Sequence, residues 1–191
     1  MIQHPVKSLS ETDRWRLRPH FKSLGKEDRR LRFGATLNDA ALDRYVDLIN
    51  FDTDTVLGIE SDDAALVAAV HVAPVGEGAE LGLSVLDGNR GRGMGSLLFE
   101  QAVLWARNRY LNRIFMHCLR ENRAILSLAR RHGMRIEFEG GDSTAVLCVP
   151  DPDLDSWVGE QATYWRAITN DAMRVEGRWF DALWAMPFKA G

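Results

Sequence analysis

Residues Glu80 to Leu104 read ELGLSVLDGNRGRGMGSLLFEQAVL, and this stretch decides the fold. Glu80–Leu86 alternates and is rich in Leu and Val, which predicts a strand. Asp87, Gly88 and Asn89 break it, and Arg90-Gly91-Arg92-Gly93-Met94-Gly95 follows. From Met94 the apolar residues change to helical spacing at Met94, Leu97, Leu98, Ala102 and Trp105. A strand, a glycine-rich loop and a helix in this order present free backbone N–H groups and the positive end of a helix dipole. Glycines let a polyanion approach the backbone, and Arg90 and Arg92 add positive charge. The pattern predicts a phosphate-bearing ligand, against the plainer alternative of a structural strand-to-helix turn.

The spacing excludes two common phosphate loops. Counting G-x-G-x-x-G from Gly91 or Gly93 puts the third position on Ser96 or Leu98, and no Gly-Lys-Ser/Thr exists for a P-loop. What fits is Arg-x-x-Gly-x-Gly at Arg90, Gly93 and Gly95, a spacing that resembles the pyrophosphate loop of the GNAT superfamily of N-acetyltransferases. A second landmark agrees. Residues 113–134, RIFMHCLRENRAILSLARRHGM, read as a short strand, Asn122, a helix and Gly133. That order and separation are similar to the strand, Asn, helix and Gly-aromatic of GNAT proteins, with Met134 where Phe is commoner. The resemblance covers roughly residues 30–150.

The resemblance implies an α/β (α+β) fold, a mixed and mostly antiparallel sheet flanked by helices. It implies an acetyl-CoA-dependent N-acetyltransferase in which an amine acceptor, a small molecule or a protein lysine or N-terminus, attacks the thioester directly. Cofactor binding falls on Val85, Leu86, Arg90, Gly91, Arg92, Gly93, Met94, Gly95 and Ser96, with Asn122 reaching the cofactor or acetyl group. Main-chain N–H groups near Val85–Leu86 would polarise the carbonyl.

For the catalytic base we favour Glu80, whose side chain shares a strand face with Gly82 and Ser84, two small residues that leave room in a cleft. An exposed strand-end or substrate-positioning carboxylate is the alternative. His71 and His117 are the other titratable candidates, in strands where structural histidines are commoner. Ala129 occupies the position where many GNAT enzymes carry a tyrosine acid. Water, another group such as Ser127, Cys118 or His132, or a catalytically silent acyl-CoA-binding module would each account for it.

The rest of the chain follows from composition. Its 191 residues suffice for one domain with an appendage, and 46% hydrophobic with 27% charged residues is ordinary for a globular protein. No apolar run approaches membrane-spanning length and no basic-then-apolar start reads as a signal peptide. Cys118 and Cys148 give neither a disulfide framework nor metal-ligand spacing; a cytoplasmic location fits free thiols and no metal is expected. A net charge of −3 argues against nucleic-acid binding, although residues 90–135 hold ten Arg against Glu100 and Glu121. Such a face is solvated surface and also suits a ligand with several phosphates.

Outside the landmarks, a short helix is predicted near Glu11–Phe21 with Ser10 or Thr12 as cap. Arg29–Phe33 reads as an exposed basic loop or an arm over the active site. A helix over Ala41–Ile49 is capped by Asn38 or Asp39. Strands are predicted at Val56–Ser61, Ala64–Val72, Met134–Glu139 and Thr144–Val149. Pro150 and Pro152 close this 1–150 domain. Residues 151–191 form a Trp-rich extension, with Trp157, Gln161, Trp165, Ile168, Ala172 and Val175 at helical spacing and Asp151 or Asp153 as cap. Gly177 is expected to end that helix, and a second amphipathic piece to run from Trp179 to Met186. Core packing, a homodimer contact and a lid are the open readings of the stripe.

Overall fold

A computed structural model describes the backbone of residues 5–184 and the side chains of residues 5–169. Seven strands form one sheet in the order β1-β2-β3-β4-β5-β7-β6. They are β1 (Val6–Leu9), β2 (Thr55–Glu60), β3 (Leu66–Val75), β4 (Gly78–Val85), β5 (Arg113–Leu119), β6 (Arg135–Glu139) and β7 (Asp142–Cys148). Every neighbouring pair is antiparallel except β4 and β5, which run parallel. Six helices flank the sheet: α1 (Arg14–Lys22), α2 (Lys26–Phe33), α3 (Asp39–Leu48), α4 (Met94–Arg107), α5 (Arg123–Arg131) and α6 (Leu154–Trp184). The expected mixed, mostly antiparallel α/β architecture is what the chain forms.

The alternation of the strands sorts side chains to two cores. Ala79, Leu81, Val70, Val72 and Ile114 join Leu98, Phe99 and Ala102 of α4 and Leu128 and Ala129 of α5. Val56, Leu66 and Ala69 point the other way, onto Leu17, Phe21, Leu42 and Val46 of α1 and α3. Period-2 burial on the strands and period-3.6 burial on the helices thus give one two-faced sheet.

Helix boundaries follow local chemistry. Asn38 caps α3, accepting from Ala41 N–H at 2.9 Å. The predicted helix near Glu11–Phe21 is a 3-10 turn at Glu11–Asp13 running into α1. Strand β1 had no counterpart in the sequence reading; four residues are too few for period 2 to register. Arg29–Phe33 is not a loop but part of a helix whose Leu31 and Arg32 border a cavity. It lies in α2, where Arg29 donates to the carbonyls of Leu24, Leu37 and Lys22, tying the α1–α3 connections together.

The extension departs from its reading in two ways. Helix α6 runs through Gly177 without a break, and residues 185 and 186 lie outside the described residues. Asp153 is the capping residue: its carboxylate accepts from Ser156 N–H at 2.8 Å, and Ser156 Oγ accepts from Asp153 N–H at 3.1 Å. The helix packs on α4 by its other face: Gly159 rests on Leu104, Arg107 pairs with Asp153 at 2.7 Å, and Arg109 with Glu160 at 2.9 Å. Trp157, Trp165 and Ile168 of the predicted stripe face solvent, Trp165 being 62% exposed, so that part of the stripe does not pack on this core. Among the described residues no helix is long and apolar enough to cross a membrane.

Candidate functional site

Strands β4 and β5 pair only at Gly78–Arg113, Ala79–Ile114 and Glu80–Phe115, and part beyond. Glu80 is therefore the last β4 residue held by β5. On its other edge β4 stays paired with β3 to Val85–Ala68, and Leu86 N–H donates to Val67 O at 2.9 Å. Antiparallel ladders alternate, so the backbone groups of Leu83 and Val85 are turned away from β3 and into the opening. This refines the sequence expectation: the Val85 amide faces the opening, whereas the Leu86 amide is spent in the ladder.

Helix α4 begins beside that opening. Gly93 is its N-cap at φ +81°, and Gly91 has φ +74°, a region that L side chains disfavour. A Cβ at either would meet nothing within 4 Å, so both glycines border open space. The first helical bond runs from Leu97 N–H to Gly93 O at 3.0 Å, leaving the amides of Met94, Gly95 and Ser96 without intrahelical acceptors. Open glycines, three free amides and the positive helix end suit a pyrophosphate.

A cavity of about 320 Å³ joins these features. Of the residues expected to hold the cofactor, Val85, Arg90, Gly91, Gly93, Met94, Gly95, Ser96 and Asn122 line it. Leu86 and Arg92 do not; Leu86 packs against the α1–α3 core, and Arg92 is exposed on the loop. Glu80 lies off the cavity wall, exposed at the apex where the strands part.

Two of these side chains are more engaged than the sequence suggested. Arg90 is ion-paired with Asp28 of α2 at 2.7 Å and with Asp87 at 3.3 Å, and its Nε donates to Val85 O at 3.2 Å. It braces the loop rather than standing free for phosphate. Asn122 caps α5 by accepting from Ile125 N–H at 3.2 Å and donates to Leu31 O of α2 at 3.2 Å. Arg131, which the sequence did not single out, lines the cavity and donates to Ser96 Oγ at 3.2 Å. Its signal was only that of one arginine among ten.

Below the strand face of Glu80, Gly82 and Ser84 lies a buried polar layer. His20 Nδ1 faces Leu66 O at 3.0 Å, so it carries the proton, and Nε2 accepts from Ser84 Oγ at 2.8 Å. Burial pushes the His20 pKa down to about 4, with Arg32 adding to the effect. An unfolded histidine titrates near 6.5, so between about pH 6.5 and 4 only the unfolded chain takes up this proton. Stability is full above that window and falls as pH drops through it, by on the order of 3 kcal/mol. Denaturant midpoints at pH 7 and 4.5 should show this loss, and His20→Gln should remove most of the difference between them; an equal loss in the variant would assign it to other groups.

His71 sits opposite Gly82 in the register. Arg32 Nη2 donates to Tyr45 Oη at 2.9 Å, Tyr45 Oη therefore donates to His71 Nδ1 at 2.9 Å, and His71 Nε2 donates to Asp54 at 2.9 Å. Burial lowers the His71 pKa, opposed by Asp54. Sequence reasoning named Arg32 only within the Arg29–Phe33 segment and did not connect it with Tyr45 and Asp54, because three separate elements bring the three together. His117 is away from this layer, bonded to Thr144 Oγ1 at 3.1 Å.

The acid position expected at Ala129 is fully buried in the core. Ser127, Cys118 and His132 do not line the cavity, and burial raises the Cys118 thiol pKa. Among the described residues no cluster of His, Cys, Asp or Glu could hold a metal ion.

A parted parallel strand pair beside a glycine-capped helix N-terminus forms a cleft suited to a ligand that carries phosphate. The comparison with known families agrees: the model of the acetyltransferase (GNAT) family matches residues 15–134. The chain belongs to the GNAT family of acetyl-CoA-dependent N-acetyltransferases. Among solved structures, the GNAT domain of S. lividans PAT superposes with a TM-score of 0.66 at 22% identity, covering 75% of this chain and 89% of that one. PaiA N-acetyltransferase from Thermoplasma acidophilum, in complex with coenzyme A, gives 0.59 at 14% identity, with coverage of 77% and 99%. Spermidine N-acetyltransferase from Vibrio cholerae, in complex with CoA and spermine, gives 0.61 at 16% identity, with coverage of 77% and 96%. These likenesses concern the fold. No curated protein sequence matches.

Proposed function

We propose that this chain transfers an acetyl group from acetyl-CoA to a primary amine, with the acceptor entering from the α1–α3 side of the parted strands. The observation that carries this reading is the continuity of one cavity from the α4 amides to the opening beside Val85. Acetyl-CoA supplies the activated acyl group as a thioester. Gly91, Gly93 and the amides of Met94, Gly95 and Ser96 hold its pyrophosphate, and the cations of Arg92 and Arg131 add to the attraction. The Val85 N–H stands where a donor can polarise the acyl carbonyl. Glu80, at the apex, accepts the proton of the acceptor ammonium directly or through water. The chain offers no tyrosine acid at Ala129; a thiolate leaving group, with an ordinary pKa of about 8.5, needs little help near neutral pH.

Calorimetry with acetyl-CoA, CoA and NAD, followed by thiol release with an amine panel, tests this function. Binding of acetyl-CoA but not NAD, with amine-dependent release, is the expected result. Binding without release for any amine would make the chain a silent acyl-CoA module. No binding would return the glycine loop to structure.

A further inference from the structure

The cavity wall formed by α2 carries a cation, Arg32, that has no carboxylate at ion-pair distance among the described residues. Arg32 packs its guanidinium against β4 at Gly82, where an added Cβ would stand 1.8 Å from Nη2. The rings of Phe33 and Tyr45 lie 4.7 and 5.7 Å from its Cζ. Its Nη2 donates to Tyr45, but its Nε is buried with no hydrogen-bond partner. Among the described residues no carboxylate pairs with it, whereas Arg90 on the same cavity is matched by Asp28 and Asp87. A half-buried guanidinium with an unsatisfied buried N–H and no carboxylate partner is costly unless an anion sits beside it.

Position says what that something is. Gly82 lies two residues beyond Glu80 on one strand face, a separation of about 6 to 7 Å. An amine that gives its proton to Glu80 therefore brings its neighbouring substituents beside Arg32. Guanidinium matches carboxylate in a two-pronged geometry, while a second ammonium there would be repelled. Resting on the acetyl-transfer reading above, we propose that Arg32 anchors a carboxylate of the acceptor, so that the acceptors are amines with a carboxylate a few bonds away, amino acids rather than polyamines.

The test titrates the CoA-saturated full chain with the proteinogenic amino acids, their carboxamides and spermidine, and follows thiol release from acetyl-CoA with the same compounds. At least one amino acid should bind about 10-fold or more tightly than its carboxamide, the scale of a charge-assisted pair. The amine of a carboxamide is less basic and so more often free to react, which means that a preference for the acid cannot arise from intrinsic reactivity. Arg32→Gln should erase the preference, with a loss of about 10- to 100-fold in affinity for the acid, and Arg32→Lys should restore part of it. Gly82→Ala, which drives a methyl into the guanidinium's place, should reproduce the loss with Arg32 present; melting curves identify any variant that fails to fold. Equal binding of acids and carboxamides, a preference for spermidine, or a preference that survives in Arg32→Gln would overturn the anchor. In each of those cases CoA still binds, whereas failure of CoA itself to bind would overturn the acetyl-transfer reading instead.

Discussion

Gly93→Asp should weaken acetyl-CoA binding about 1000-fold. Gly93 caps α4 at φ +81° and opens onto the cavity, with nothing within 4 Å of an added Cβ. A carboxylate there would face the space proposed for the pyrophosphate, and like charges about 4 Å apart near a protein surface repel by about 4 kcal/mol. Aspartate is among the few side chains that visit the left-handed region, so the fold should persist and the loss should be read on the ligand alone. Calorimetry on the variant, with a melting curve as control, measures it. Gly93→Ala adds backbone strain without charge and should cost far less. Unchanged affinity in Gly93→Asp would remove the loop from the binding site.

Glu80→Gln should lower kcat by about 100-fold or more, within the range that a positioned general base contributes. It should also remove the acidic limb of the kcat/KM profile. A carboxylate can accept the acceptor's proton, and an amide in its place cannot. Gln is isosteric and Glu80 is exposed at the strand apex, so folding should not suffer. If the variant keeps the full limb, Glu80 positions substrate and the base is elsewhere; the bonded chain of Asp54, His71 and Tyr45 would then be examined by His71→Gln.

Much of the site was legible because its elements are contiguous. The strand–loop–helix unit from Glu80 to Leu104 encodes its own geometry: alternation, then glycines at positive φ, then a 3.6 period. Asn122 could be placed at the start of α5 from the strand, Asn, helix and Gly spacing that resembles GNAT proteins, and the structure adds that its side chain caps that helix. Gly177 misled: a glycine inside a helix costs only about 1 kcal/mol, and α6 continues through it.

By itself, then, the sequence determined the strand–loop–helix unit from Glu80 to Leu104 and the helix between Asn122 and Gly133, features set by residues within a turn or two of one another. The mixed fold class followed from their resemblance to the GNAT pattern. Only the tertiary structure decided that Arg90 is held by Asp28, that Asn122 clasps α2, and that Leu86 spends its amide on Val67. The tertiary structure also decided that Arg32, Tyr45, His71 and Asp54 meet beside Gly82. Those four come from α2, α3, β3 and the loop before β2, and no periodicity relates them. Their contact exists because one of the two cores, built on Leu17, Phe21, Leu42 and Val46, folds α1–α3 down onto one face of the sheet, where sequence-distant side chains are brought within hydrogen-bond reach.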